Sequence, residues 1–175
     1  MRPAGKGKRP RPPRDAPSDY REKTVHEVSR ISRRMKENGH PVPLGDPGSG
    51  IVLVVEQPVG PRVLEALKRS LRAVGLSEAY VTYAATDLLE EELVAIEPHA
   101  LVAVGVGAAH DIDAAGYPLV RQPFSEAEPG VWFSWTKGTL GLLVPSLAPA
   151  LDDEAAKRRF WRIFLGLRAL APSDL

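Results

Sequence analysis

The segment IVLVVEQPVG, residues 51–60, constrains the fold more than any other part of the chain. It opens with five apolar residues, four of them β-branched, and Glu56 follows them directly. An uninterrupted apolar run is typical of a strand that is buried on both faces, usually in a parallel sheet. Pro58 and Gly60 then turn the chain into a helical pattern that starts near Pro61. The segment therefore predicts a strand followed by a helix, the building unit of α/β folds.

The same alternation of strand and helix patterns continues along the chain. Buried strands are predicted at residues 51–56, 79–85, 100–105 and 140–144, with shorter runs at 119–122 and 131–135 that could add edge strands. Helices are predicted at residues 19–38, 61–74, 88–97, 108–114 and 152–170. This order predicts a three-layer α/β/α sandwich around a mostly parallel four-stranded sheet. Right-handed crossovers would place the carboxyl ends of the parallel strands, including Glu56, along one edge. Open α/β sheets bind ligands at that edge, and an acid there could equally be a loop acid that caps the next helix.

Charge is distributed unevenly between the two ends of the chain. Residues 1–36 carry twelve Lys or Arg and four Asp or Glu, whereas residues 37–175 carry eleven and eighteen. Residues 1–18 are so rich in Pro, Gly and basic residues that we predict a disordered basic arm, with one domain over residues 19–175. A basic arm on an acidic body favours a polyanionic partner, most simply nucleic acid. A solubilising tail, or one that folds back onto the body, is the alternative.

Composition excludes several kinds of chemistry. The chain has no cysteine, so disulfides, thiol catalysis, iron–sulfur clusters and cysteine-based zinc sites are excluded. The histidines lack convincing metal-ligand spacing with carboxylates, and we expect neither a metal nor another cofactor. No segment approaches the ~18 consecutive apolar residues of a membrane span. The N-terminus lacks the apolar core of a signal peptide, which predicts a cytoplasmic location without membrane contact.

Four segments, in order, resemble the uracil-DNA glycosylase superfamily. They are IVLVVEQPVG, AYVTYAAT, ELVAIEPHALVAVGVGAA, and LLVPSLAPAL followed by KRRFWRIFLGLRAL. They resemble the family's first strand and turn, its second strand, its third strand end, and its His-Pro-Ser loop with the closing helix. The resemblance covers roughly residues 20–170 and is closest to the thermostable iron–sulfur branch. It implies the fold of that family and a role in DNA repair, in which a flipped base is removed by hydrolysis.

The resemblance also implies where a site would lie. Glu56 stands at the family's turn acid and would position the attacking water. The implied base pocket consists of Gln57, Pro58, Tyr83, Val144 and Ser146. Tyr83 replaces the Asn that reads the base, and Val144 replaces the His that stabilises the leaving base. Because losing one such donor costs on the order of 10²–10³ in rate, we do not expect uracil excision by the family mechanism. Another base specificity stays open, since Tyr83 could stack a base.

Two groups of cations are the candidates for nucleic-acid contacts. They are Arg9, Arg11 and Arg14 in the arm, and Lys157, Arg158 and Arg159 on the last predicted helix. Such clusters can follow a phosphate backbone. The helical cations can equally pair with the neighbouring acids at residues 152–154, and the sequence does not decide between the two.

Two further patterns have a structural interpretation beside a functional one. VGVGAA, residues 104–109, could bind a phosphate through its backbone N–H groups, although a tight turn with close helix packing fits it better. The acid run at residues 90–92 is predicted to be a solvated helix face.

Three hypotheses about function follow. The leading one is a divergent uracil-DNA glycosylase-like protein that binds nucleic acid, with glycosylase activity that is weak, altered or absent. The second is an active DNA glycosylase that hydrolyses the N-glycosidic bond of a modified base, with Glu56 positioning water. The third is a non-catalytic module that binds a protein partner in a larger assembly.

Overall fold

A computed structural model of the chain describes residues 16–57, 59–84 and 87–172. The predicted arm residues Arg9, Arg11 and Arg14, and the pocket residue Pro58, therefore lie outside the described residues. The helices are α1 (Ala16–Glu37), α2 (Pro61–Ala73), α3 (Leu89–Ile96), α4 (Val106–Ala114), α5 (Leu147–Ala150) and α6 (Glu154–Phe164). The strands are β1 (Ile51–Val55), β2 (Tyr80–Tyr83), β3 (Ala100–Val104), β4 (Phe133–Thr136) and β5 (Thr139–Val144).

The strands form one sheet in the order β2-β1-β3-β5-β4. Four strands are parallel, and β4 pairs with β5 in the antiparallel direction. The α/β class is confirmed, but the predicted number of four strands is wrong because β4 adds a fifth at the edge. β4 overlaps the short run at residues 131–135, one of the two that could add edge strands. A short turn through Lys137 and Gly138 returns the chain directly from β4 into β5. The other short run, residues 119–122, forms no strand, since Leu119 has a φ of 63° and its side chain is 89% exposed.

Successive side chains of each strand point to opposite faces of the sheet, and this alternation divides the core into two layers, one on each face. Leu53 and Val55 of β1 pack with α2, α5 and α6 on one face. Val52 and Val54 pack with α1, α3 and α4 on the other. Because both faces of the sheet are covered, its central strands can be apolar throughout, as the sequence of β1 indicates.

The last predicted helix is shorter than its sequence pattern suggests. Regular α-helix ends at Phe164, and the chain continues as a 3₁₀-helix over Leu165–Leu170. A three-residue period keeps Phe164, Leu167 and Leu170 on the side that packs against the core.

None of the helices in the described ranges combines the length and the apolar composition that a membrane-spanning helix needs.

Candidate functional site

Glu56 follows β1 at the carboxyl edge of the sheet, and its carboxylate lies at the start of α4. The backbone N–H of Gly107, which lies 51 residues further along the chain, donates a hydrogen bond of 3.0 Å to Glu56 Oε2. The first N–H groups of a helix have no partner within the helix, and the helix dipole favours a negative charge at this end. Glu56 therefore caps α4.

Two glycines make this approach of Glu56 to α4 sterically feasible. A Cβ atom on Gly105 would lie 2.3 Å from Glu56 Cδ, and one on Gly107 would lie 2.9 Å from Oε2. Gly105 also has a φ of +98°, which side chains rarely tolerate. The VGVGAA segment is thus a tight connection at Gly105 from the end of β3 to the start of α4, and the protein's own carboxylate occupies the position that the alternative interpretation assigned to a phosphate.

Tyr83 and Val144, two residues of the implied base pocket, are packed into the core. Their exposed fractions are 3% and 0%, and both belong to the layer that contains α2 and α6. Burial raises the pKa of the Tyr83 phenol above its ordinary value. Glu56, in contrast, reaches toward α4, which belongs to the opposite layer. The structure therefore does not bring Tyr83 and Val144 together with the Glu56 carboxylate around one open cavity.

Gln57 and Ser146 remain closer to solvent at the carboxyl edge, where both are half-buried. Gln57 Nε2 is buried, and no hydrogen-bond acceptor for it lies among the described residues. An amide donor without a partner is costly to bury, and it is a feature that a bound ligand could satisfy.

An amphipathic groove lies between α2 and α6, beside the carboxyl edge where α2 and α5 both begin. This α2–α6 groove has a volume of about 590 Å³. Its charged lining residues are Arg62, Arg69, Lys157 and Glu65, and its uncharged ones include Leu147, Leu151, Phe160 and Trp161. The sequence resemblance did not indicate this groove, because the residues that form it come from three helices rather than from the strand ends.

The predicted nucleic-acid contacts on α6 are accessible. Lys157, Arg158 and Arg159 are exposed, and none of them forms an ion pair with another described residue. Two of the three neighbouring acids are engaged elsewhere: Asp153 accepts a hydrogen bond of 3.2 Å from the Ala155 N–H, and Asp152 lies 3.5 Å from Arg62. Pairing between the α6 cations and these acids, which the sequence leaves open, is not observed in the described part of the chain.

A second cationic surface runs along α1, on the opposite face of the sheet from α6. Arg30, Arg33 and Lys36 are exposed and have no ion-pair partner among the residues that the structure describes. Arg33 and Lys36 line a groove of about 470 Å³ between α1 and the loop that follows it, and no described carboxylate lines this groove. Two other α1 cations are paired: Arg34 lies 2.7 Å from Glu91, and Arg21 lies 2.6 Å from Asp46. Arg30 lines a separate groove, together with Arg34, Glu27 and Glu91. We call the exposed side of α1 that carries Arg30, Arg33 and Lys36 the α1 basic face.

Glu92 contradicts the prediction that the acid run at residues 90–92 is entirely solvated. Its side chain is fully buried, it accepts a 2.7 Å hydrogen bond from the Thr82 hydroxyl, and it accepts a second from the Tyr80 phenol. Burial raises the pKa of Glu92 to about 7, although both hydrogen bonds oppose this shift. Burial also raises the pKa of Tyr80. A sequence signal for this position exists, because Glu92 shares the apolar stripe of α3 with Leu89 and Ile96.

No group of three or more metal-ligating side chains occurs within residues 16–57, 59–84 and 87–172. No family model matches the sequence, and no curated protein is significantly similar to it.

Proposed function

We propose that this chain is a nucleic-acid-binding protein, a divergent relative of the uracil-DNA glycosylases in which excision is weak, altered or absent. The observation that carries the proposal is the α1 basic face. Its three cations are exposed and unpaired within the described residues, and they follow a sequence segment in which residues 1–15 hold six Lys or Arg and one acid. A cluster of cations without acidic partners attracts a polyanion and gains free energy from counterion release.

The surroundings of Glu56 support a reduced catalytic role. A carboxylate that positions water needs a lone pair directed into an open cavity beside the substrate. One Glu56 oxygen accepts from Gly107, and the side chains expected around a flipped base, Tyr83 and Val144, are buried in the opposite layer. A base could stack on Tyr83 only after the side chains that bury this ring had moved.

The basic face gives the first testable prediction. Replacing all three residues, Arg30, Arg33 and Lys36, by Ala should weaken binding to duplex DNA by about tenfold or more at low salt. Ala is chosen because it is the best helix former and should preserve α1. The slope of log K against log salt should become less negative by roughly 0.9 for each phosphate that is no longer neutralised. Fluorescence anisotropy with a labelled duplex measures both quantities. Arg168→Ala, at an exposed cation on the 3₁₀-helix, is the matched control and should change neither.

Two outcomes of this experiment would count against the proposal. One is that the unmodified chain shows no salt-dependent affinity for DNA or RNA. The other is that the triple variant and Arg168→Ala bind equally well, which would remove the α1 basic face from the interface.

The alternative of an active glycosylase has one observation in its favour. Gln57, the residue after Glu56, has a buried amide donor without a partner among the described residues, and such a donor could read a carbonyl oxygen of a base. The leading proposal predicts little or no abasic product from oligonucleotides that contain uracil, hypoxanthine or xanthine. Product that forms with the unmodified chain and disappears in Glu56→Gln would establish the alternative. Glu90→Gln, at an exposed position, is the control for the purity of the preparation.

A further inference from the structure

We propose that the α2–α6 groove binds a single-stranded segment of nucleic acid, with one base on its apolar floor and phosphates on its cationic margin. This inference rests on the proposed function and assigns it a second, separate site. The groove lies in the layer that packs against the opposite face of the sheet from the α1 basic face. The two surfaces can therefore be tested independently.

The size and lining of the groove suit a nucleotide. Its volume of about 590 Å³ falls within the range of small-ligand sites, which is about 300–1,000 Å³. The floor is formed by side chains without charge, among them Leu147, Leu151 and Phe160. A planar base can be buried against such a floor only when it is unstacked from its neighbours, and this condition favours a single strand over a duplex.

The charge of the lining favours an anionic ligand. Three cations and one acid line the groove. Lys157 has no ion-pair partner within the described residues, while Arg62 and Arg69 pair with acids at 3.5 and 3.4 Å. All four side chains in those two pairs are at least half-exposed, so the pairs contribute little and their arginines can turn to phosphate oxygens.

Trp161 supplies an aromatic surface in the same groove. The indole is half-buried, and its two aromatic neighbours, Phe160 and Phe164, meet it at interplanar angles of 76° and 89°. Neither ring is therefore stacked parallel on the indole. Stacking of bases on aromatic side chains is the common way in which proteins hold single strands without reading their sequence. The combination of Trp161 with Lys157 and Arg69 is the feature that points to a base joined to phosphates.

The test uses the full chain and a labelled oligothymidylate of about 12 nucleotides, a length within the site sizes of single-strand binders. Lys157→Ala and Arg69→Ala should each weaken its binding and make the salt slope less negative by roughly 0.7, whereas Arg168→Ala should not. Binding should quench tryptophan emission, and Trp161→Phe should remove most of that quenching while the oligonucleotide still binds. This substitution keeps an aromatic ring against the core, so the variant is expected to fold.

An abasic oligonucleotide of the same length isolates the contribution of the bases. It carries the same phosphates, and it should bind less tightly and leave tryptophan emission unchanged. Equal binding and equal quenching by the abasic strand would overturn the inference. Poly-glutamate that competes as well as the oligonucleotide, and quenches Trp161 equally, would also overturn it by assigning the groove to an acidic protein partner.

Failure of the inference can be distinguished from failure of the proposed function. If the chain binds DNA through the α1 basic face, but Lys157→Ala and Arg69→Ala behave like Arg168→Ala, only the groove assignment fails. If the unmodified chain binds no nucleic acid at any salt concentration, both fail.

Discussion

Glu92→Gln should stabilise the protein at pH 8 by about 3 kcal/mol, while changing its stability little at pH 5. The cause is the burial that raises the pKa of Glu92 from the ordinary value of 4.5 to about 7. Between these two values the folded state holds a proton that the unfolded state has released. Raising the pH through this window therefore favours unfolding, and the stability falls until the pH exceeds about 7.

The amide of Gln resembles the protonated carboxyl group without a titration of its own. Its oxygen can accept from the Tyr80 phenol, and its NH₂ group can donate to the Thr82 hydroxyl oxygen, so residue 92 keeps a hydrogen bond to each partner, although the Thr82 hydroxyl no longer donates to it. Urea unfolding at pH 5, 6, 7 and 8 measures the effect as a difference in unfolding free energy. The unfolding free energy of the unmodified protein should fall from pH 5 to pH 8, and that of Glu92→Gln should change less over the same range.

Glu90→Gln is the matched control on the same helix. Glu90 is exposed, and its replacement should change the unfolding free energy by less than about 0.5 kcal/mol at any of these pH values. If Glu92→Gln were instead less stable than the unmodified protein at pH 8, the two hydrogen bonds would outweigh the cost of burying the charge, and our interpretation would be wrong.

Glu92 also shows what periodicity alone can and cannot predict. The apolar stripes of α1 and α2 and the apolar runs of β1 and β3 predict the α/β class, because in these elements nearly every inward position is apolar. A carboxylate at an inward position is interpreted as a solvated residue unless its partners are known. Those partners, Tyr80 and Thr82, lie on a strand that precedes α3, and only the packing of α3 on that strand brings them together.

The edge strand β4 and the role of Glu56 are hard to predict for a related reason. β4 is only four residues long, and its pairing depends on the turn at Lys137 and Gly138 rather than on its own pattern. Glu56 is predicted correctly at the end of β1, but its partner is the N–H of Gly107, which follows β3. Contacts between residues so far apart in the chain follow from the strand order, which a single sequence leaves undetermined.

Gly105→Ala is the second substitution with a large expected effect, a loss of about 3–5 kcal/mol of unfolding free energy. Two costs add. A φ of +98° with a ψ of 156° is adopted almost only by glycine, and the new methyl group would lie 2.3 Å from Glu56 Cδ. Gly116→Ala is a control for a positive φ without a steric clash, because Gly116 has a φ of +73° but no atom within 4 Å of the added Cβ. That variant should lose only about 1–2 kcal/mol.

A double-mutant cycle with Glu56→Ala then measures the steric part directly. Glu56→Ala alone removes the cap of α4 and should cost about 1 kcal/mol. In the double variant the shortened side chain leaves room for the methyl group, so the loss should be smaller than the sum of the two single losses by at least about 1 kcal/mol. Additive losses would mean that the backbone strain of Gly105 dominates and that Glu56 can move away freely. A carboxylate that moves freely would in turn be available to a substrate. The same cycle therefore measures how strongly the Glu56 side chain is held in its capping position on α4.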